Sequence, residues 1–219
     1  MYRLRERAGW RVIAEDLAPA QGGLANTSVW DYRAQSIGWA SADDPPDAVV
    51  GASLGGWLAL HAADAWRARG LVLVNPVPPA DCGVLWQPQT PIPDIVPWSS
   101  SGLEETALAL PDGDPEVVRW ASKRWRDESG LVLRELASGA RAPRPLCATL
   151  VLISELDQDV PPNLSATVAR WCGGESELIA GASHLGPLLG QTASACASLA
   201  LDWLQRRLLG YEHRDRDHE

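Results

Sequence analysis

Short runs of Val, Ile and Leu recur along the chain and alternate with longer segments in which apolar residues return every three or four positions. Apolar runs of four to six residues bounded by Gly, Pro or Asp are typical of buried strands, and the longer period is typical of helices. Strands alternating with helices predict an α/β fold with a mostly parallel sheet of about five strands, flanked by helices. The predicted strands are 10–14, 47–51, 71–75, 149–153 and 177–180.

The helical pattern is clearest near the end of the chain. Over 188–209, Leu189, Ala193, Cys196 and Ala200 fall near one stripe, and this stripe should pack against the sheet. Gly210 follows at a position where helices commonly end. The predicted helices between the strands are 29–40, 54–69, 162–172 and 188–209.

The segment 80–146, called the insert below, interrupts the alternation with a proline-rich stretch and two or three helical patterns. Ser101 and Glu104 have the spacing of a capping box, and Asp114 before Pro115 is typical of a helix start. We therefore expect an α/β core formed by 1–79 and 147–211, a helical lid formed by the insert, and a disordered charged tail at 212–219.

Length and charge narrow the classes of partner. A chain of 219 residues is one domain with enough apolar sequence for a core. Its net charge of -9 repels phosphate backbones and anionic lipid, so we expect no nucleic-acid or membrane partner and a small neutral or apolar substrate. The charged amino terminus lacks the apolar run of a signal peptide, and no window reaches the ~18 apolar residues of a membrane span, so a cytoplasmic location is expected.

The cysteines do not indicate a metal centre or a disulfide framework. No Cys-x-x-Cys pair is present and no histidine lies at metal-ligand spacing, so they are predicted to be buried thiols. No motif for a metal, nucleotide or flavin is found, so we expect no cofactor. The four cysteines are Cys82, Cys147, Cys172 and Cys196.

The sharpest local motif is the segment 51–56, GASLGG, directly after a predicted strand and before a predicted helix. A serine at such a tight turn has a strained backbone, and the small residues at 51, 55 and 56 let neighbouring segments approach it. The Ser53 hydroxyl would then lie at the carboxyl edge of the sheet, beside a helix amino terminus that favours developing negative charge. A Gly-rich helix start without chemical function would have the same local pattern.

A serine becomes an effective nucleophile only when a base takes its proton, and the usual base is an imidazole that a carboxylate orients. His184 lies in the segment 181–185 after the last predicted strand, here called the histidine loop. Carboxylates lie in the segment 155–161, the acid loop, after the preceding strand. With the elbow turn at 51–56, the order serine, acid, histidine resembles the α/β-hydrolase superfamily over nearly the whole chain.

The resemblance implies Ser53 as nucleophile, His184 as general base and acid, Asp157 as orienting carboxylate and the Leu54 N–H as an oxyanion donor. Members of the family often have an acid loop of the form Glu-x-Asp-x-x-Val-Pro, which aligns the catalytic aspartate with Asp157. Other carboxylates at strand ends stay open as alternatives. They are Asp159, Glu155 and Asp81. His61, inside a predicted helix, is expected to be structural.

The chain departs from the family at its amino terminus. The family has three strands before the one predicted at 10–14, and a His-Gly or Gly-rich loop after the third supplies a second oxyanion N–H. Neither is found here. Three arrangements would give hydrogen-bond partners to the unpaired backbone groups at the strand edges. The strand 10–14 pairs with the elbow strand, a partner chain or second copy completes the sheet, or the natural protein is longer. In the first, Gly22 or Gly23 would donate the missing N–H.

These features predict a serine hydrolase that cleaves a small apolar carboxylic ester or thioester through an acyl-enzyme. Two other functions stay open: a non-hydrolytic lyase or cyclase of the same fold, and a catalytically impaired binding or scaffold protein. Tryptophans of the insert are predicted to shape the substrate pocket, unless they only attach the insert to the body of the domain. They are Trp86, Trp98, Trp120 and Trp125.

Overall fold

A computed structural model describes residues 10–212 of the chain, with side chains as far as residue 208. Six strands and eight α-helices lie within this part, with three short 3₁₀ helices at Leu24–Asn26, Ala80–Cys82 and Trp98–Ser100. The strands are β1 (Ala48–Ala52), β2 (Gly70–Val74), β3 (Ile95–Val96), β4 (Glu128–Ser129), β5 (Ala148–Ser154) and β6 (Glu175–Ile179). The helices are α1 (Val29–Gly38), α2 (Leu54–Trp66), α3 (Leu103–Ala109), α4 (Pro115–Ala121), α5 (Gly130–Ala137), α6 (Pro162–Cys172), α7 (Gly186–Leu189) and α8 (Ala193–Glu212).

The main sheet has four parallel strands in the order β1-β2-β5-β6. Its register pairs Gly51 with Leu73 and Leu73 with Val151, so the carboxyl ends of the strands meet at one edge. The predicted α/β fold class and four of its five strands are thus confirmed. All residues of β2 are buried, as expected for a central strand covered on both faces.

The predicted strand at 10–14 is wrong. Residues 10–20 contain neither helix nor strand, and β1 pairs with β2 only. A cavity separates Ile13 and Leu17 from Val49 and Val50 of β1. An apolar run forms a strand only beside a partner at hydrogen-bonding distance, and this run has none. The arrangement in which 10–14 pairs with the elbow strand is therefore not found, and completion of the sheet by a partner or a longer chain stays a prediction.

The core has one layer on each face of the sheet, because side chains alternate along a strand. Leu71, Leu73 and Val151 face the layer that includes Trp57 and Leu60 of α2. On the other face, residues such as Val72, Val74 and Leu152 pack against Trp203 and Leu204 of α8. These two layers hold the carboxyl ends of the strands in fixed positions.

The insert contains the antiparallel pair β3–β4 and the helices α3, α4 and α5. Asp114 and Pro115 begin α4 as predicted. The capping interaction of α3 is shifted by one residue from the prediction. The Gly102 N–H donates to the carboxylate of Glu105 (2.9 Å), whereas the predicted pair was Ser101 and Glu104. The division of the chain into core and lid stays a prediction.

The predicted helix 188–209 is interrupted. Helix α7 ends before Gly190, whose backbone is extended, and α8 begins at Ala193. The Gln191 N–H donates to the carbonyl of Asp112 (3.0 Å), so a contact with the insert replaces a helical hydrogen bond. The predicted tail lies outside the described residues except for Glu212, which ends α8. No helix within 10–212 is both long and apolar enough to cross a lipid bilayer.

Candidate active site

Ser53 occupies the single position between strand β1 and helix α2, with φ 53° and ψ -123°. Positive φ is unfavourable for a residue with a side chain, so the turn keeps this conformation only because its surroundings impose it. A Cβ at Gly51 would lie 2.1 Å from the Gly55 carbonyl oxygen, and one at Gly56 would lie 2.8 Å from Pro76 Cβ. The requirement for small residues is therefore met at 51 and 56. At Gly55 itself a Cβ would point into open space, contrary to the expectation.

Backbone hydrogen bonds fix the elbow turn to the end of β2. The Ser53 N–H donates to Val74 O (2.9 Å), and the Ser53 carbonyl accepts from the N–H groups of Val77 (3.1 Å) and Gly56 (2.9 Å). The N–H of Leu54 belongs to the first turn of α2, where backbone donors have no helical partner and the helix dipole is positive. This end of the helix is suited to a developing negative charge.

Asp157 lies in the acid loop after β5, and its side chain is fully buried. Its Oδ2 is 2.7 Å from His184 Nδ1, and its Oδ1 accepts from the N–H groups of Asp159 and Val160, each at 2.9 Å. A buried carboxylate is stable only when its oxygens are bound in this way. Both oxygens of Asp157 have partners, and one partner is the imidazole.

The other carboxylates considered from the sequence bind elsewhere. Glu155 accepts from the Gly181 N–H (2.8 Å), and Asp81 accepts from the side chain of Arg141 and the N–H of Ala142. Asp159 approaches the pair Asp157 and His184 but contacts Asp157 through its backbone N–H. Within the described residues, Asp157 is the carboxylate that hydrogen-bonds His184.

His184 lies in the histidine loop between β6 and α7, with 11% of its side chain exposed. When Nδ1–H donates to Asp157, Nε2 carries the lone pair and can accept a proton. Ser53 and His184 lie at the same edge of the sheet, but no hydrogen bond joins their side chains in the part of the chain described. Pairing of the two side chains stays a prediction, since catalytic hydrogen bonds are often long without substrate.

Asn75, which the sequence analysis missed, connects the end of β5 to the histidine loop. It follows β2, is 1% exposed and has φ 47°. Its Nδ2 donates to the His184 carbonyl (2.8 Å) and to Ser154 Oγ (2.9 Å), and its Oδ1 accepts from the Ser154 N–H (2.8 Å). The only available signal in the sequence was an Asn before Pro at a strand end, which predicts a turn and not a buried network.

Comparison with known proteins identifies the family. Residues 2–199 match the alpha/beta hydrolase family. The chain belongs to this family. No curated protein sequence gives a significant match.

Solved structures with this fold include three esterases. Polyneuridine aldehyde esterase has a TM-score of 0.67 and 19% identity, with 91% of this chain and 90% of that chain covered. A methylesterase from Arabidopsis has a TM-score of 0.64 and 12% identity, covering 90% and 89%. A thermophilic esterase from Thermogutta terrifontis has a TM-score of 0.59 and 18% identity, covering 94% and 84%. At these identities the similarity establishes the shared α/β-hydrolase fold.

The two glycines considered as second oxyanion donors of this α/β hydrolase lie in a turn before α1. The Gly23 N–H donates to Ala20 O (2.8 Å), and Gly23 has φ 83°. The Gly22 carbonyl accepts from the Asn26 side chain. Their predicted role depended on pairing of 10–14 with the elbow strand, and that pairing is not found, so the structure singles out neither glycine as a donor.

The tryptophans of the insert mostly make structural contacts. The indole N–H of Trp86 donates to Asp159 O (2.7 Å), and that of Trp125 donates to Thr106 Oγ1 (2.8 Å). Trp120 is half exposed and lies under the guanidinium of Arg124, and Trp98 is 41% exposed. The contact of Trp86 attaches the insert to the acid loop, whereas that of Trp125 lies within the insert, and a pocket role for the four stays a prediction.

A cavity of about 270 Å³ extends along the outer edge of β1. Its mostly apolar walls come from the irregular segment after residue 10, from β1 and from α2. The walls include Gly51, Ala52 and Gly55 of the elbow turn. The tryptophans of this wall are Trp39 and Trp66, not those of the insert.

Asp157, Asp159 and His184 also have ligand atoms within 4.8 Å of one another. The 2.7 Å distance between His184 Nδ1 and Asp157 Oδ2 is that of a hydrogen bond, too short for an ion to lie between these two atoms. The arrangement therefore favours an oriented imidazole over a metal centre.

Proposed function

We propose that this α/β hydrolase is a serine hydrolase that cleaves a carboxylic ester or thioester of a small apolar substrate. The observation that carries the proposal is the hydrogen bond of 2.7 Å between buried Asp157 and His184, at the sheet edge that also presents Ser53. A carboxylate is costly to bury, and orientation of an imidazole gives it a purpose. Membership of the hydrolase family supports the same reaction class.

In the proposed mechanism, His184 Nε2 removes the Ser53 hydroxyl proton as Oγ attacks the substrate carbonyl carbon. Asp157 orients the ring and stabilises the imidazolium that forms. The Leu54 N–H donates to the developing oxyanion. The imidazolium then gives its proton to the departing alcohol or thiol, which leaves Ser53 as an acyl ester. Water, deprotonated by His184, releases the acid and restores the serine.

The second oxyanion donor determines how fast this enzyme can be. Loss of one donor costs about a hundred- to a thousandfold in rate. With the Gly23 N–H bound to Ala20, the Leu54 N–H acts alone unless Gly22 or another chain contributes. We therefore expect slow turnover with activated esters.

A fluorophosphonate probe tests the proposal directly, because it modifies only an activated serine. Wild-type protein should be labelled, and Ser53→Ala and His184→Ala should not. Ser122 is a half-buried serine of the insert whose hydroxyl donates to the Arg119 carbonyl, and Ser122→Ala, the matched control, should label like wild type. Failure of folded wild-type protein to label would favour a non-hydrolytic enzyme or a binding protein.

Steady-state assays with p-nitrophenyl esters of increasing chain length and with an acyl thioester would then separate esterase from thioesterase activity. A burst of p-nitrophenol equal to the enzyme concentration is expected if the acyl-enzyme forms faster than it hydrolyses.

A further inference from the structure

Asp112 lies in the insert between α3 and α4 and binds the histidine loop. Its Oδ1 accepts from Ser183 Oγ (2.5 Å), and its Oδ2 accepts from the Ser183 N–H (3.2 Å). Its carbonyl accepts from the Gln191 N–H (3.0 Å). Ser183 immediately precedes His184 and is 5% exposed. One aspartate of the insert therefore contacts the chain on both sides of α7, at Ser183 before the helix and at Gln191 after it.

This carboxylate has space beside α7 because the first residue of that helix and the residue after it lack side chains. A Cβ at Gly186 would lie 2.2 Å from Asp112 Oδ2, and one at Gly190 would lie 2.7 Å from the same atom. Contacts this short do not occur between real atoms, so the carboxylate occupies its position only because both residues are glycine. The close fit distinguishes Asp112 from a surface aspartate with a chance partner.

The contacts of Asp112 and Asn75 fix the backbone on both sides of His184. Asp112 binds the N–H of Ser183, the residue before the histidine, and Asn75 donates to the carbonyl of His184 itself (2.8 Å). With the backbone fixed at both places, the direction of the His184 side chain is set. Asp157 then determines the orientation of the ring.

The insert also contacts the acid loop. The indole N–H of Trp86 donates to Asp159 O (2.7 Å), and the amide of Gln89 donates to Gln158 O (2.8 Å). The carboxylate of Asp157 and the imidazole of His184 are thus each carried by a loop that the insert binds. A shift of the insert would move both loops.

We propose that Asp112 is a positioning residue for His184, through which the insert sets the place of the general base. This inference rests on the proposed serine-hydrolase function. Misplacement of a catalytic group by about 1 Å can cost on the order of a hundredfold in rate, because the reacting atoms no longer meet in line. Asp112 makes no contact with Ser53, so its effect falls on kcat and not on substrate binding.

The test compares Asp112→Asn with Asp127→Asn. Asparagine keeps the size of the side chain but offers one accepting oxygen to the two donors of Ser183. Asp127, also in the insert, accepts the Ser99 N–H (2.9 Å) far along the chain from both catalytic loops and is the matched control. We expect kcat for a p-nitrophenyl ester to fall about 10- to 100-fold in Asp112→Asn, with KM within twofold of wild type and no change in Asp127→Asn.

Ser183→Ala removes only the hydroxyl donor and should give a smaller loss of kcat. In the double variant Asp112→Asn/Ser183→Ala the losses should not add, because both changes break the same contact. Unchanged kcat in folded Asp112→Asn, a loss confined to KM, or additive losses in the double variant would overturn the proposal.

A readout without turnover separates this inference from the proposed function. The proton between His184 and Asp157 gives a low-field NMR signal when the imidazole is held in place. It should broaden or vanish in Asp112→Ala and persist in Asp127→Asn. A signal unchanged in Asp112→Ala would refute the positioning role, whether or not the wild type reacts with a fluorophosphonate. If the wild type is not labelled but the NMR signal changes as expected in Asp112→Ala, only the hydrolase function is refuted.

Discussion

Single residues of the elbow turn are constrained by the space around the backbone. Ser53 has positive φ, and Gly51 lies so close to the first turn of α2 that a methyl group would overlap Gly55 O (2.1 Å) and Ala59 Cβ (2.5 Å). These neighbours belong to a buried helix and cannot move aside cheaply. By contrast, a methyl group at Gly55 would meet nothing within 4 Å. The two glycines of one motif therefore have different physical roles.

Gly51→Ala should destabilise the protein by about 3 kcal/mol or more and abolish labelling by a fluorophosphonate, because the overlap must displace the elbow turn. Gly55→Ala should be neutral or stabilise by up to about 1 kcal/mol through helix propensity. Urea unfolding of both variants measures the difference. Equal stability of the two would show that the close approach at Gly51 is not a constraint.

Asn75 is the residue whose loss should be most costly outside the predicted triad. Asn75→Ala leaves the Ser154 N–H and the His184 carbonyl without partners in a buried site, and alanine is unfavourable at φ 47°. We expect a loss of about 2 to 4 kcal/mol in the free energy of unfolding. Asn26→Ala, which removes an exposed asparagine bonded to Gly22 O, should change it by less than about 0.5 kcal/mol. Denaturant unfolding that ranks the two variants equally would contradict the network.

Helices α1 and α2 are joined by a buried histidine. His61 of α2 accepts from Arg33 Nε of α1 at Nδ1 (3.0 Å), and its Nε2 lies 3.2 Å from the Arg141 carbonyl. A neutral ring with the proton on Nε2 satisfies both contacts. Burial, and then the charge of Arg33, lower the pKa of His61 to about 4. The prediction that His61 is structural agrees with these contacts, which involve no residue of the proposed site.

The lowered pKa of His61 predicts acid sensitivity. Its stabilising contribution is fully present above the ordinary histidine pKa of about 6.5 and is lost as the pH falls towards 4, since the unfolded chain binds the proton more tightly. Between pH 7 and 4.5 the loss should reach at most about 2.5 kcal/mol. His61→Gln, which cannot titrate, should show a flatter dependence of unfolding free energy on pH. Parallel curves for the two proteins would contradict the assignment.

The last predicted helix is interrupted by a contact between two elements that are distant in sequence. The apolar stripe over 188–209 is continuous in sequence, but the helix ends after α7, where Asp112 occupies the space beside Gly186 and Gly190. The stripe after the break still packs on the sheet through Trp203 and Leu204. Periodicity thus predicted the packing face, and a contact from the insert determined where the helix stops.

The molecule as a whole is closely packed on both faces of the sheet but not along the outer edge of β1. There a cavity of about 270 Å³ separates β1 and α2 from the irregular segment that includes Ile13 and Leu17. Val50 is 39% exposed although it lies in the middle of its strand. Added volume should be tolerated at this edge and rejected within the layers.

Neighbouring alanines of α2 test this difference in packing. Ala62 lines the cavity, whereas Ala63 belongs to the layer around Trp57 and Leu60. Ala62→Met should cost nothing or stabilise slightly, because the flexible side chain can extend into the cavity. Ala63→Met should destabilise by about 1 to 3 kcal/mol through overpacking. Thermal unfolding of the two variants measures the difference in stability. An equal loss of stability in both would mean that the cavity is already filled in solution.

The sequence by itself determined the features that depend on neighbours along the chain. Apolar runs located β2 and β5, because a buried parallel strand needs little more than such a run, and shorter runs located the edge strands β1 and β6. Parallel strands bring their following loops to one edge, and from this the sequence predicted that Ser53, Asp157 and His184 lie at the same edge of the sheet, without knowledge of side-chain contacts.

Only the tertiary structure decided features that need a partner distant in sequence. The run at 10–14 has strand composition but no neighbour to pair with, so it stays irregular. Asn75 binds a residue 109 positions away, and Asp112 binds one 71 positions away, through side chains that have no local signature. Local patterns fix backbone conformation through short-range sterics and burial, whereas hydrogen-bond partners and strand neighbours are chosen when the whole chain packs.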